Sequence, residues 1–141
     1  MARFTEENVK NEFAVQDKLS GDELMLYYRT PTAEEHIKYS KEKLVRRGNK
    51  FEDRLTETLI KYGGKILTGI RKGDFARRVD GKTVLYSSEP GDPDYDPNWK
   101  ELIRAHAADL LILLGMHVFE PASGNAFRLE DSTAEEDPEK N

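Results

Sequence analysis

A regular apolar stripe in residues 51–72 constrains the fold of this chain more than any other feature of its sequence. Apolar side chains follow one another there at steps of three or four residues: Phe51, Leu55, Leu59, Tyr62, Ile66 and Ile70. At roughly 100° per residue they fall on one face of an amphipathic helix. A stripe of basic residues runs beside them: Arg54, Lys61, Lys65 and Lys72. The pattern predicts one long helix, over about 50–72, with a buried ridge and a basic flank.

Two adjacent glycines, Gly63 and Gly64, interrupt this stripe. Each costs about 1 kcal/mol in a helix interior relative to alanine. Either the helix is continuous and a neighbouring element packs closely against the glycines, or the helix breaks there into two. The apolar period keeps its phase from Tyr62 to Ile66, which favours a continuous helix with the last helix of the chain as its close neighbour.

A second helix is predicted at about 33–47 from signals at its two ends. Thr32, followed three residues later by Glu35, forms a capping box, which is typical of a helix N-terminus. Gly48 is suited to the position just after a helix C-terminus. The apolar face of this segment is thin, so we expect the helix to lie on the surface.

A third helix is predicted at about 97–119. Asp96 and Pro97 are suitable as its N-cap and first residue. Its second half contains the run LLILL at 110–114, which is apolar on every side. Such a segment is either buried on several sides or in contact with another chain.

Two hairpins are predicted outside these helices. Asp80 and Gly81, flanked by alternating side chains, give a strong signal for a hairpin at 75–87. Residues 12–29 contain two short alternating runs around a turn at Ser20, which we interpret as an N-terminal hairpin. A short helix remains the competing interpretation of both runs.

These elements predict an α+β fold that is mostly α, with three main helices and two small hairpins. The length of 141 residues fits one domain. We expect a flexible N-terminus at 1–11, a globular domain at 12–120 and an acidic, disordered tail at 121–141. Residues 120–141 hold seven acids and two basic residues, which accounts for the whole net charge of −5.

The residue types exclude several classes of site. The chain has no cysteine, so it has no disulfide, no thiolate nucleophile and no zinc–cysteine site. The acidic run at 92–98 lacks the glycine and glutamate that an EF-hand loop requires, and Pro97 and Ile103 stand in their places. The histidines show no HExxH spacing: His36, His106 and His117. We therefore expect no catalytic residues, no cofactor and no metal.

Binding is the remaining type of function, and two kinds of partner are open. Residues 38–82 hold 14 basic and 6 acidic residues, a pattern that suits nucleic acid or an acidic protein surface. The apolar run LLILL suits a protein partner or a second copy of the chain. The candidate partner-binding residues are Arg54, Lys61, Lys65, Lys72, Trp99, Leu110, Leu111 and Leu114.

The layout of residues 22–120 resembles that of tail assembly chaperones, small proteins of tailed-phage and prophage tail modules. The resemblance rests on an R-x-x-[ST]-x-x-E entry into a helix, a D-G-K turn and an aromatic residue near the start of the last helix: Arg29, Thr32, Glu35, Asp80, Gly81, Lys82 and Trp99. It implies a non-enzymatic factor that binds the apolar helices of a tape-measure protein through its own amphipathic helices.

The resemblance also implies a location in the cytoplasm of a bacterial host. No stretch approaches the ~18 apolar residues of a membrane span, so we expect no membrane contact. The alternative function is a nucleic-acid-binding accessory protein that uses the basic region 38–82.

Overall fold

The computed structural model describes residues 2–6 and 9–120, and within them the chain forms seven strands and four helices. The strands are β1 (Asn11–Gln16), β2 (Glu23–Tyr28), β3 (Leu44–Arg47), β4 (Lys50–Asp53), β5 (Leu67–Ile70), β6 (Ala76–Val79) and β7 (Lys82–Leu85). The helices are α1 (Ala33–Glu42), α2 (Leu55–Ile66), α3 (Trp99–His106) and α4 (Ala108–Phe119). The strands form one three-stranded sheet, in the order β1-β2-β5, and two separate hairpins, β3–β4 and β6–β7.

The prediction of a mostly helical fold with three main helices is wrong, because each predicted helix is shorter or divided. The chain is an α+β domain in which strands take up a large share of the described residues. The helix predicted at 33–47 ends at Glu42, and its last residues form β3. The helix predicted at 50–72 consists of β4, α2 and β5 in succession. The helix predicted at 97–119 begins at Trp99 and is divided into α3 and α4, which meet at an angle of 93°.

The glycine taken as the end of the first helix instead forms the turn of the β3–β4 hairpin. Gly48 has φ +65° at the first central position of a two-residue loop, as a type II′ turn requires. Glycine is favoured both after helices and in such turns, so its presence alone did not distinguish the two. The paired strands on either side of it move Phe51 out of the predicted apolar ridge, and its side chain is 64% exposed.

Both predicted hairpins are present. β1 and β2 pair antiparallel from Asn11↔Tyr28 to Gln16↔Glu23, so the competing helical interpretation of residues 12–29 is wrong. The turn between β6 and β7 has φ +52° at Asp80 and +78° at Gly81, as expected of a type I′ turn.

The sheet and the helices share one hydrophobic core. Its largest fully buried side chains are Tyr39, Tyr62, Leu26, Ile66, Leu67, Ile103, Leu111 and Leu114. The apolar stripe of α2 contributes Leu59, Tyr62 and Ile66, as the helical period predicts. The chain then changes from helix to strand at Leu67, and β5 pairs with β2.

The closest approach between helices is that of α2 and α4, and glycines make it possible. A Cβ placed on Gly63 would lie 2.4 Å from the carbonyl oxygen of Leu111. On α4, a Cβ placed on Gly115 would lie 3.0 Å from the carbonyl oxygen of Leu59. The helix α2 is continuous through Gly63 and Gly64, so the prediction of a continuous helix that packs against the last helix is confirmed here.

The predicted acidic tail, residues 121–141, lies outside the described residues. At the other end, residues 2–6 belong to no helix or strand.

The two adjacent glycines provide a matched test of this packing. We expect Gly63→Ala to lower the free energy of unfolding by about 1–3 kcal/mol, because its Cβ meets backbone that has to move. Gly64→Ala adds a Cβ whose nearest neighbour, Leu111 Cδ1, is 3.9 Å away. We expect it to be neutral or to stabilise by up to about 1 kcal/mol, since alanine favours helix. Urea unfolding of both variants measures the difference, and equal effects would contradict the close approach at Gly63.

Candidate functional site

The side of α4 that faces away from the core carries exposed apolar side chains. Leu113 and Met116, three residues apart on the helix, are each 42% exposed. Ile112 beside them is half-buried and packs against the core. These residues form a continuous apolar strip, which we call the outer face of α4.

The side chains of the run LLILL therefore lie on two different faces of α4. Leu110, Leu111 and Leu114 are buried in the core, where Leu111 lies against α2. The chain itself covers most of these three side chains, although Leu110 also lines the groove described next. Their role in partner binding stays a prediction. Leu113 was in the same apolar run, but the sequence alone did not show which of its sides faces the core.

A groove of about 320 Å³ lies along the outer face of α4, where it meets the end of β1. It is lined by Gln16, Asp17, Lys18, Asp109, Leu110, Ile112 and Leu113. Hydrogen bonds from Ser20 lower the pKa of Asp17, which lies on the rim of the groove. Leu19, the next residue after Lys18, is almost fully exposed on the same turn. The groove thus has an apolar floor and a rim of charged side chains.

Trp99, the aromatic candidate, is the first residue of α3. Its side chain is half-buried and packs against the core. Its position is explained by the fold, and it is not part of the groove on α4.

The four basic candidates lie apart from this groove. Arg54 and Lys61 form ion pairs with Glu52 and Glu42, the latter at 2.7 Å between Lys61 Nζ and the carboxylate. Lys72 contacts Asp92 at 3.3 Å. Lys65 Nζ lies 5.6 Å from the centre of the Tyr62 ring. The structure does not bring these four side chains together with the outer face of α4.

Carboxylates neutralise much of the basic region 38–82. Of its 14 basic residues, eight form ion pairs with described carboxylates: Lys38, Lys43, Arg47, Arg54, Lys61, Arg71, Lys72 and Arg77. A phosphate backbone is bound by cations that release its counterions. Cations already paired within the protein contribute less to such binding, so the geometry weakens the nucleic-acid interpretation.

A larger cleft, of about 820 Å³, lies where the N-terminal residues meet the start of α1. Arg29 and Glu35 form a bidentate pair there, with N···O distances of 2.8 and 2.7 Å. The Glu35 carboxylate also accepts a hydrogen bond from Thr32 N, which completes the predicted capping box. The Arg29 guanidinium is the main cause that lowers the pKa of Glu35 from 4.5 to about 2. A carboxylate with so low a pKa is a weak general base, so the pair acts to hold α1 in place.

Two further carboxylates connect helices, and no local motif in the sequence predicts their roles. Glu42, at the end of α1, accepts hydrogen bonds from Lys61 and from the Tyr62 hydroxyl on α2. Burial, with this carboxylate next to it, raises the pKa of Tyr62 to about 12. Glu120, after α4, accepts hydrogen bonds from the Tyr39 hydroxyl at 2.6 Å and from Lys43 Nζ at 2.8 Å. Both units connect neighbouring helices through hydrogen bonds.

The described residues contain no group of three or more His, Asp or Glu side chains that could hold a metal ion. In the acidic run at 92–98, Asp92 is paired with Lys72, and Asp96 with Arg77. The His117 ring stacks on Phe13 with ring centres 4.8 Å apart. Asp92, Asp96 and His117 thus have described partners in ion pairs or ring packing.

Among the described residues, no single helix has both the length and the apolar composition to span a membrane, and only α3 and α4 taken together, across their bend, pass that test. Comparisons of the chain with protein-family models, with curated proteins and with solved structures find no match.

Glu35 gives a test of the ion pair at the base of the cleft. Because its pKa is lowered in the folded state, its contribution is fully present above about pH 4.5 and is lost as the pH falls towards 2. We expect Glu35→Gln, which keeps a capping-box side chain, to lower the free energy of unfolding by ~2–3 kcal/mol at pH 7. The difference from the wild type should shrink below pH 4.5 in urea unfolding experiments.

Glu34→Gln is the matched control for this experiment. Glu34 is exposed, and within the described residues its carboxylate pairs only with Lys38, at 3.4 Å. We expect it to change the free energy of unfolding by less than about 0.5 kcal/mol. A Glu35→Gln effect that is equally small, or that does not depend on pH, would show that the pair does not stabilise the fold.

Proposed function

We propose that this protein is a non-enzymatic assembly factor that binds an amphipathic helix of another protein on the outer face of α4. The observation that carries the proposal is the exposure of Leu113 and Met116, side by side, next to an apolar groove with charged rims. Helix-in-groove recognition uses such a surface, because a partner's apolar stripe covers the floor while its polar flanks remain in solvent.

The size of the apolar strip limits its contribution to affinity. Complete burial of a leucine or methionine side chain contributes about 1.5–3 kcal/mol. Leu113 and Met116 are already more than half covered, so further burial adds about 1 kcal/mol each. A partner must therefore also contact the groove and the β1–β2 turn to reach micromolar affinity, which requires about 8 kcal/mol.

We further propose that the protein belongs to the tail assembly system of a tailed phage or prophage, and that it acts in the cytoplasm of a bacterial host. The residues of the R-x-x-[ST]-x-x-E pattern, Arg29, Thr32 and Glu35, form one hydrogen-bonded unit at the start of α1. Asp80 and Gly81 form the turn of a hairpin. These structural roles support the resemblance to tail assembly chaperones as one of shared layout. The proposed partner is a long helical protein of the tape-measure kind.

One observation favours the nucleic-acid-binding alternative. The two hairpins β3–β4 and β6–β7 carry four basic side chains that form no ion pair within the described residues: Arg46, Lys50, Arg78 and Lys82. They are spread over two elements. A titration of duplex DNA against salt distinguishes the two functions, because each cation that contacts a phosphate steepens the salt dependence. A tight complex at physiological salt, with a steep salt dependence, would favour the alternative.

Binding to the long helical protein encoded nearest to this gene tests the proposal. We expect the purified proteins to form a complex, and we expect Leu113→Ser with Met116→Ser to weaken it about 10–30-fold in a calorimetric titration, from the loss of about 2 kcal/mol. Leu85→Ser is the matched control, because Leu85 is also 42% exposed but lies on β7, away from α4. The control should bind as the wild type does.

Two results would contradict the proposal. No complex with that helical protein would count against the proposed partner. A complex that Leu113→Ser with Met116→Ser leaves unchanged would place the binding surface elsewhere on the protein.

A further inference from the structure

One face of the β3–β4 hairpin carries exposed apolar side chains and a basic one. Arg46 and Phe51 are directly opposite each other in the register, so their side chains lie on the same face. Leu44, two residues before Arg46, lies on that face as well. Leu44 is 51% exposed and Phe51 is 64% exposed. The Arg46 guanidinium lies 6.0 Å from the centre of the Phe51 ring. We call these three residues the hairpin face.

The hairpin also carries positive charge that described carboxylates leave unneutralised. Arg47 is paired with Glu52, but Arg46 and Lys50 form no ion pair with any carboxylate of the described residues. The hairpin face thus combines two large exposed apolar side chains with nearby free cations. A segment that fits it needs apolar side chains next to carboxylates.

The described part of the chain ends beside this hairpin. Glu120, the last described residue, is held by Lys43 and Tyr39 through its carboxylate. Lys43 immediately precedes β3, and its carbonyl oxygen accepts a hydrogen bond from Arg54 N at the base of the hairpin. Glu120, from which residues 121–141 continue, therefore contacts the residue at the base of the hairpin.

The sequence of residues 121–141 has the composition that the hairpin face requires. It holds six carboxylates and two basic side chains, a net charge of −4. Phe127 and Leu129 come just before Glu130 and Asp131, so apolar and acidic groups are adjacent. The rest of the segment is small or polar.

The length of chain between Glu120 and Phe127 is sufficient for Phe127 and Leu129 to contact the hairpin face. Phe127 is seven residues beyond Glu120 and can reach up to roughly 25 Å from it. The four-residue strands of the hairpin are only about 13 Å long at 3.3 Å per residue. Every part of the hairpin face is therefore within reach of Phe127 and Leu129.

We propose that the acidic segment 121–141 of the same chain binds the hairpin face. Phe127 and Leu129 pack against Leu44 and Phe51, and the adjacent carboxylates contact the cations of the hairpin. Because Phe127 is only seven residues beyond Glu120, the segment has an effective concentration in the millimolar range at the hairpin face. Even a contact of millimolar intrinsic affinity is then occupied for about half of the time.

Paramagnetic broadening in the full-length protein tests this contact. The chain has no cysteine, so Ser132→Cys places a single nitroxide label just after Asp131. We expect the label to broaden the amide signals of residues 44–53 more than those of the β6–β7 hairpin. Because the attraction is partly electrostatic, the broadening of 44–53 should decrease between 50 mM and 1 M salt.

Substitutions distinguish binding to the hairpin face from proximity that results only from the covalent connection. Phe127→Ser with Leu129→Ser, outside the described fold, should reduce the excess broadening of residues 44–53 to the level of the β6–β7 hairpin. Arg46→Glu with Phe51→Ser, which changes the hairpin face itself, should reduce the broadening of residues 44–53 to the same level. Val84→Ser with Arg78→Glu is the matched control, since both residues are exposed on β6–β7. It should leave the broadening of 44–53 unchanged.

Three outcomes would overturn the proposal. Equal broadening of both hairpins would show unspecific attraction to positive charge. Unchanged broadening in both contact variants would show that the segment is near the hairpin only because of its covalent connection and does not bind the hairpin face. In a mixture, one sample of the protein is ¹⁵N-enriched without nitroxide, and the other carries the nitroxide without ¹⁵N. Broadening of the ¹⁵N-enriched protein that decreases on dilution would show that the segment of a second copy occupies the hairpin face.

Discussion

The approach of α2 and α4 is the contact on which the remaining structure depends. Each helix contributes one glycine to it: Gly63 faces the carbonyl oxygen of Leu111, and Gly115 faces that of Leu59. Two backbones can come this close only where no Cβ stands between them. The contact buries the apolar ridge of α2 together with one side of α4. β5, which follows α2 directly, is then in position to pair with β2.

This packing also determines which side of α4 is open to a partner. Because Leu111 and Leu114 face the core, Leu113 and Met116 face outwards: each follows one of these two leucines by two residues, which is about 200° around the helix. Carboxylate contacts keep the arrangement fixed, since Glu120 ties the end of α4 to α1 and Glu42 ties α1 to α2. The open side of α4 and the basic hairpin are thus separate surfaces, with separate candidate occupants.

Local signals in the sequence were sufficient for some elements and misleading for others. The capping box at Thr32, the Asp80–Gly81 turn and the ridge at Leu59, Tyr62 and Ile66 all depend on residues within one or two turns of each other, and each was predicted correctly. The ends of the helices depend on tertiary context. Ile66 and Ile70 are spaced as in a helix, yet pairing with β2 gives the chain after Ile66 an extended conformation.

The candidate site was predicted less well, for a physical reason. A run such as LLILL is apolar on all sides, so only the position of the neighbouring helix decides which leucines are buried. Likewise, charge counting along the chain showed 14 basic residues at 38–82 but could not show that carboxylates such as Glu42 and Asp92 would pair with them. From their close packing we expect α2 and α4 to form one cooperative unit, and native-state hydrogen exchange tests this most directly. Amides of Thr58–Ile66 and Leu110–Gly115 should exchange slowest, with one common free energy equal to that of global unfolding, and β6–β7 amides should exchange faster through local opening. Exchange of the α4 amides at the rate of the β6–β7 hairpin would contradict the account.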